Sequence, residues 1–110
     1  LKLKLKFIKI NDSLGILEGK IIFDFWILDI LEVIKIHENN LIKDKYKYNY
    51  RNSNNELVFR YDNAPHHQNI ATFPHHKQIN DIAVESIEPD IRQILSEIKT
   101  INLNIYPLYF

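Results

Sequence analysis

Apolar and polar residues alternate with a period of two through the first two thirds of the chain, then switch to the period of a helix. Leu1, Leu3, Leu5 and Phe7 alternate with Lys2, Lys4 and Lys6, the pattern of a half-buried or edge strand. The cluster from Asn11 to Gly15 predicts a turn. Two stretches rich in β-branched residues follow, 16–28 and 30–37, and predict two strands, with a helix over 27–37 as the alternative. Glu38, Asn39 and Asn40 predict the next turn.

The clearest local prediction is a hairpin. Tyr46, Tyr48 and Tyr50 occupy one face of a strand whose other face carries Lys43, Lys45, Lys47, Asn49 and Arg51. A turn over 52–55 sends the chain back through 56–62. Setting Arg51 opposite Glu56 places Tyr50 against Leu57, Tyr48 against Phe59 and Tyr46 against Tyr61. One face is then aromatic and the other charged, and a one-residue slip would mix them. Further on, Ile91, Ile94, Leu95, Ile98 and Ile101 recur at helical spacing, with Pro89 in the first turn and Ser86 or Glu88 as the cap. The prediction is one α+β domain: a twisted antiparallel sheet of about five strands within 1–62, a histidine-rich loop over 63–80 and a helix over 88–101 on one face. An apolar tail over 102–110 packs on the domain or on a neighbouring chain, which leaves a homo-oligomer open.

Composition narrows the chemistry. At 110 residues the chain suits a single core. It contains no cysteine, which excludes disulfides, thiolate metal sites and iron–sulfur clusters. Charged residues interrupt every apolar stretch well short of the roughly 20 residues of a membrane span, so no membrane association and a cytoplasmic location are the expectations. With Gly15 and Gly19 the only glycines, phosphate-binding loops, nucleophile elbows and dinucleotide fingerprints are excluded. The formal charge is zero, yet residues 1–51 hold ten basic residues against seven acidic, and 79–110 hold two against five. That gradient permits an anionic partner for the front of the molecule without requiring one.

Four of the five histidines fall within eleven residues, as Pro65-His66-His67 and then Pro74-His75-His76. On extended chain, adjacent side chains point in opposite directions, so one histidine of each pair can face a shared site. Three readings are open. In general acid–base catalysis, as in metal-free RNA cleavage, two of His66, His67, His75 and His76 serve as base and acid. Asp62 then orients a ring, and Arg60 with Lys45 or Lys47 stabilises the phosphoryl charge. In a divalent metal site, His66 or His67, His75 or His76, and Asp62 are the ligands, with His66, His75 and Asp62 the first choice, although the spacing lacks the usual two-histidine pattern. In a structural reading, the imidazoles are hydrogen-bonded fixtures of a stiff loop. The row of Lys43, Lys45, Lys47, Arg51 and Arg60 either tracks phosphates or is a solvated strand face. The tyrosines are read as core in preference to a base-stacking platform, and the Lys2, Lys4 and Lys6 row as protection of an edge strand.

The run from Phe59 to His67, Phe-Arg-Tyr-Asp-Asn-Ala-Pro-His-His, followed by Thr72-Phe73-Pro74-His75-His76-Lys77, resembles the TumE family of toxin–antitoxin toxins. The resemblance covers 40–99 and includes the tyrosine-rich strand and the Glu88-Pro89 helix start. It implies the toxin half of a two-gene module with a cognate antitoxin as partner, and by analogy with other small toxins ribonuclease or other translation-blocking action; the alternative is a non-enzymatic protein-binding module with a structural or metal-binding histidine loop. It adds functional weight to His66, His67, His75, His76, Arg60, Tyr61 and Asp62. Lys45, Lys47, Arg51, Tyr61 and Lys77 become the candidate substrate-binding residues, and no cofactor is expected unless the divalent metal is used. Family members often carry a further histidine where this chain has Gln78.

Overall fold

The computed structural model describes residues 1–105, with side chains through Leu103. Seven strands form one antiparallel sheet in simple chain order. They are β1 (Lys2–Asn11), β2 (Leu14–Phe23), β3 (Trp26–His37), β4 (Asn40–Asn52), β5 (Leu57–Asp62), β6 (His76–Ile79) and β7 (Ile82–Glu85), followed by helix α1 (Ile91–Ile105). The α+β class stands, but the sheet exceeds the expected five strands by the β6–β7 hairpin.

Turn chemistry accounts for most of the differences from the sequence reading. Glu38 and Asn39 both take positive φ (51° and 64°), giving a two-residue hairpin loop at the predicted turn. Asn80 and Asp81 do the same (50° and 63°) and create β6–β7 inside the region read as loop 63–80. The loop therefore ends at residue 75. Asp24, at φ 55°, turns the chain within the stretch read as a single strand, so the boundary between β2 and β3 lies at Asp24-Phe25 and not at position 29. Residues 27–37 are strand, with no helix there.

The tyrosine hairpin keeps its predicted faces but shifts its register by two. Tyr50 pairs with Phe59, Tyr48 with Tyr61 and Lys47 with Asp62. Asn52 side-chain oxygen accepts the backbone N–H groups of Asn54 and Glu56, and Asn55 takes φ 66°, which shortens the turn by one residue. A bulge beside Arg51 supplies the second residue of shift. Because the slip is even, the aromatic face survives. A second irregularity, between the pairs Val33–Lys45 and Ile34–Lys43, leaves Asp44 as the extra residue. It carries Lys43 out of the predicted basic row and onto the tyrosine face, 5.0 and 4.8 Å above the rings of Tyr46 and Tyr48.

Helix α1 covers that face. Ile94 and Ile98 are buried against Leu28, Ile30, Tyr46, Tyr48, Tyr50 and Phe59. Asp90 caps the helix: its carboxylate accepts the N–H groups of Arg92 (2.6 Å) and Gln93 (3.2 Å), and Gln93 side-chain oxygen accepts the N–H of Asp90. The cap is thus two to four residues later than the predicted Ser86 or Glu88. Residues 102–105, read as tail, continue the helix, and residues 106–110 of that tail lie outside the described residues. Every residue of β1 is exposed.

Each buried phenol on this face has a polar partner. Tyr50 donates to Asn102 (2.8 Å) and Tyr61 to Glu97 (2.5 Å), tying the sheet to the helix. Tyr48 donates to Glu32 (2.5 Å) and accepts from Lys43 (2.6 Å), whose ammonium also donates to the Pro89 carbonyl (3.0 Å). Burial pushes the Tyr50 hydroxyl up to about 12. Burial raises Tyr46, Tyr48 and Tyr61 further, helped by nearby carboxylates that disfavour a phenolate. The unfolded chain releases these protons near pH 10 while the folded chain keeps them. Their stabilising effect is therefore complete below about pH 10 and is lost as pH rises through about 12. A joint titration of phenolate absorbance and folding should show these four tyrosines ionising together with alkaline unfolding. Four phenolates appearing near pH 10 in a folded chain would contradict this packing.

Candidate active site

The opposite face of the sheet has no helix over it among the described residues, and alternation delivers a separate set of side chains there. Lys47 and Asn49 of β4, Arg60 and Asp62 of β5, and His76 and Gln78 of β6 stand in register, Asn49 beside Arg60, Arg60 beside Gln78, and Asp62 beside both Lys47 and His76. Of these, Lys47, Arg60, Asp62, His76 and Gln78, together with Lys45 and His66, line a pocket of about 380 Å³.

The loop over 63–75 is positioned by short polar residues. Asn63 side chain accepts the N–H of Tyr46 (3.0 Å) and donates to the carbonyl of Asp44 (2.9 Å), extending the β4–β5 ladder by one amide. Asp62 accepts the N–H of Ala64 (3.0 Å), which turns the chain into Pro65 and His66. Thr72 hydroxyl donates to the His75 carbonyl (2.7 Å) and accepts the N–H of Ser86 (2.9 Å), pinning the far end of the loop.

The four histidines divide. His76 is 2% exposed, with Nε2 3.1 Å from an Asp62 carboxylate oxygen and Nδ1 3.0 Å from the Pro74 carbonyl. Both ring nitrogens face protein oxygens, so neither is turned toward a ligand. His75 points to the other side of the sheet, where its ring stacks on Tyr46 (5.8 Å) and Nδ1 meets the Tyr46 hydroxyl (2.9 Å). His66 and His67 are exposed, and neither imidazole has a hydrogen-bond partner among the described residues. His67, at φ 56°, sets its ring 5.1 Å from that of His76 and 6.3 Å from that of His66.

The other candidates divide in the same way. Lys45 and Lys47 are exposed at the pocket without ion-pair partners among the described residues. Arg60 is held by two neutral amides, Asn49 (3.0 Å) and Gln78 (3.5 Å), and so keeps an uncompensated charge. Arg51 lies further along the face and is bound to Asp29 (2.7 Å). Tyr61 and Lys77 are not at the pocket. They face α1, where Lys77 pairs with Glu97 and lies over the Phe59 and Tyr61 rings. Of the metal ligands expected, His75 is on the tyrosine side, and its alternative His76 already meets Asp62 and the Pro74 carbonyl. Among the described residues no three His, Asp or Glu side chains converge as a ligand group. Sequence reasoning missed Asn63 and Asn49 as positioning residues; the available signals were Asn63 directly after Asp62 and Asn49 within the basic row. It also read Gln78 only as a departure from a family, whereas Gln78 is part of the pocket wall.

The division predicts opposite stability effects. His76→Ala leaves the mostly buried Asp62 carboxylate without its partner and should cost about 2–3 kcal/mol in urea denaturation. His66→Ala should stay within about 0.5 kcal/mol of the parent. Equal losses, or the reverse order, would contradict the assignment.

The whole site lies within the stretch that a family model matches. No curated protein and no solved structure matches the chain. The family model described as Toxin TumE matches residues 4–102, from β1 into α1, and so extends well before the 40–99 stretch whose motifs carry the resemblance. The chain belongs to the TumE toxin family.

Proposed function

We propose that this toxin acts on RNA, cleaving a phosphodiester by metal-free acid–base chemistry in the pocket of the open sheet face. The family makes the protein the toxin component of a toxin–antitoxin system with a cognate antitoxin as partner. The observation that carries the finer reading is the convergence of His66 with the cations Lys45, Lys47 and Arg60 around one cavity, on a wall held by the Asp62–His76 pair.

In this reading a base takes the proton of the ribose 2′-hydroxyl, whose oxygen attacks the adjacent phosphorus. The bond to the 5′-oxygen breaks, an acid supplies that oxygen with a proton, and a 2′,3′-cyclic phosphate remains. His66, on the pocket wall, and His67, beside it, are exposed imidazoles without a hydrogen-bond partner among the described residues, and they take these two roles. Arg60 and Lys47 hold the phosphoryl oxygens as negative charge builds on them, with Lys45 at the pocket margin. The Asp62–His76 pair is a positioning element: it fixes the start of β6 and the pocket wall. A non-enzymatic binding module is the second reading, favoured by the structural engagement of His75 and His76.

Incubating the purified, partner-free chain with total cellular RNA should yield fragments ending in 2′,3′-cyclic phosphate. Cleavage should persist in EDTA and fall by about 100-fold or more in His66→Ala/His67→Ala. Lys45→Glu/Lys47→Glu should abolish it as well. Cleavage lost in EDTA would replace this chemistry with a metal mechanism. Intact RNA after exposure to a well-folded parent chain would remove the ribonuclease reading in favour of the binding module.

A further inference from the structure

The open face holds a second concavity beside the histidine pocket. A groove of about 840 Å³ reaches from Lys4 and Lys6 on β1, across Leu31, to Lys47, Arg51 and Arg60. Groove and pocket share Leu31, Lys47 and Arg60, so the two form one depression running from the β1 edge to β6. Gly19 lines the groove and pairs with Leu5 of β1, where the two strands approach closely. Its φ is 148°, and a Cβ there would lie 1.9 Å from the Lys4 carbonyl oxygen.

Charge is concentrated along that depression. It is lined by six cations, Lys4, Lys6, Lys45, Lys47, Arg51 and Arg60, against the carboxylates Glu18, Asp29 and Asp62, in a chain of zero formal charge. All three carboxylates are already engaged, Glu18 by Lys6 (3.4 Å), Asp29 by Arg51 (2.7 Å) and Asp62 by His76 (3.1 Å). Lys4, Lys45 and Lys47 have no ion-pair partner among the described residues, and Arg60 has only amides. Unneutralised cations thus stand at the β1 end, the middle and the histidine end of a single path. The volume is that of a small-ligand pocket, which a few nucleotides of one strand would fill and a duplex could not enter.

We propose that this depression is a track for single-stranded RNA, in which Lys4, and Lys6 on exchanging its exposed Glu18 partner for a phosphate, hold phosphates remote from the one at His66. The proposal rests on the RNA reading above and extends it to β1, whose lysine row otherwise serves only to protect an edge.

The test is fluorescence anisotropy with a labelled, fully 2′-O-methylated RNA of about twelve nucleotides, which binds without being cleaved. Lys4→Glu/Lys6→Glu should weaken binding by about tenfold or more and flatten the salt dependence by about 1.4 log units per log unit of salt, two phosphate contacts' worth. Lys4→Gln/Lys6→Gln should act in the same direction with a smaller loss. Lys9→Glu/Lys99→Glu makes the same change in net charge outside the groove and should bind within about twofold of the parent. Circular dichroism and urea midpoints confirm that each variant is folded. The track is overturned if the parent does not bind the oligomer, if the groove pair binds as tightly as the parent, if the control pair weakens as much, or if a duplex of the same sequence binds equally well. A parent chain that binds through Lys4 and Lys6 yet cleaves no RNA would remove the ribonuclease reading and leave the track standing.

Discussion

The organising constraint is the row of buried tyrosines on β4. A phenol is largely apolar but carries one hydroxyl that must find a partner when buried. Tyr48 and Tyr50 are completely buried and Tyr46 nearly so, and their hydroxyls go to Glu32, Asn102 and His75. Satisfying them fixes where α1 lies, where Lys43 points and which way His75 turns. Ring packing adds to this: Tyr50 contacts Trp26 at 5.8 Å and Phe59 at 5.4 Å between centroids.

A sheet so firmly committed on one face is free to be functional on the other. Strand alternation sends Lys47, Arg60, Asp62 and His76 to the open side because Tyr46, Tyr48, Phe59 and Tyr61 belong to the closed one. The same alternation splits the second histidine pair, giving His75 to the core and His76 to the pocket wall. Asp62 links the two roles. It holds the His76 ring and turns the chain toward His66, so one carboxylate positions both ends of the histidine loop.

Much of this was legible in the residues. The alternation of tyrosine and lysine predicted the two faces, and their parity survived a register error of two. The isoleucine spacing predicted α1, and the two Pro-His-His motifs marked the family and the region of the candidate site. What escaped prediction was governed by backbone conformations that pattern alone does not reveal. Positive φ at Asp24, Asn80 and Asp81 placed turns inside what read as strand or loop. The extra residue Asp44 moved Lys43 across the sheet. Nor does any local signal separate the exposed His66 and His67 from the engaged His75 and His76, because the partners that distinguish them, Tyr46 and Asp62, are brought up by tertiary structure.

That separation is the central claim, and the chemical reactivity of the imidazoles tests it directly. Brief treatment of the native chain with diethyl pyrocarbonate, mapped by peptide mass spectrometry, should modify His66 and His67, with exposed His37 as the internal standard. His75 and His76 should stay unmodified until the chain unfolds. An uncleavable RNA oligomer should protect His66 and leave His37 reactive. Rapid modification of His75 or His76 in the folded chain, or a His66 that RNA does not shield, would contradict the account.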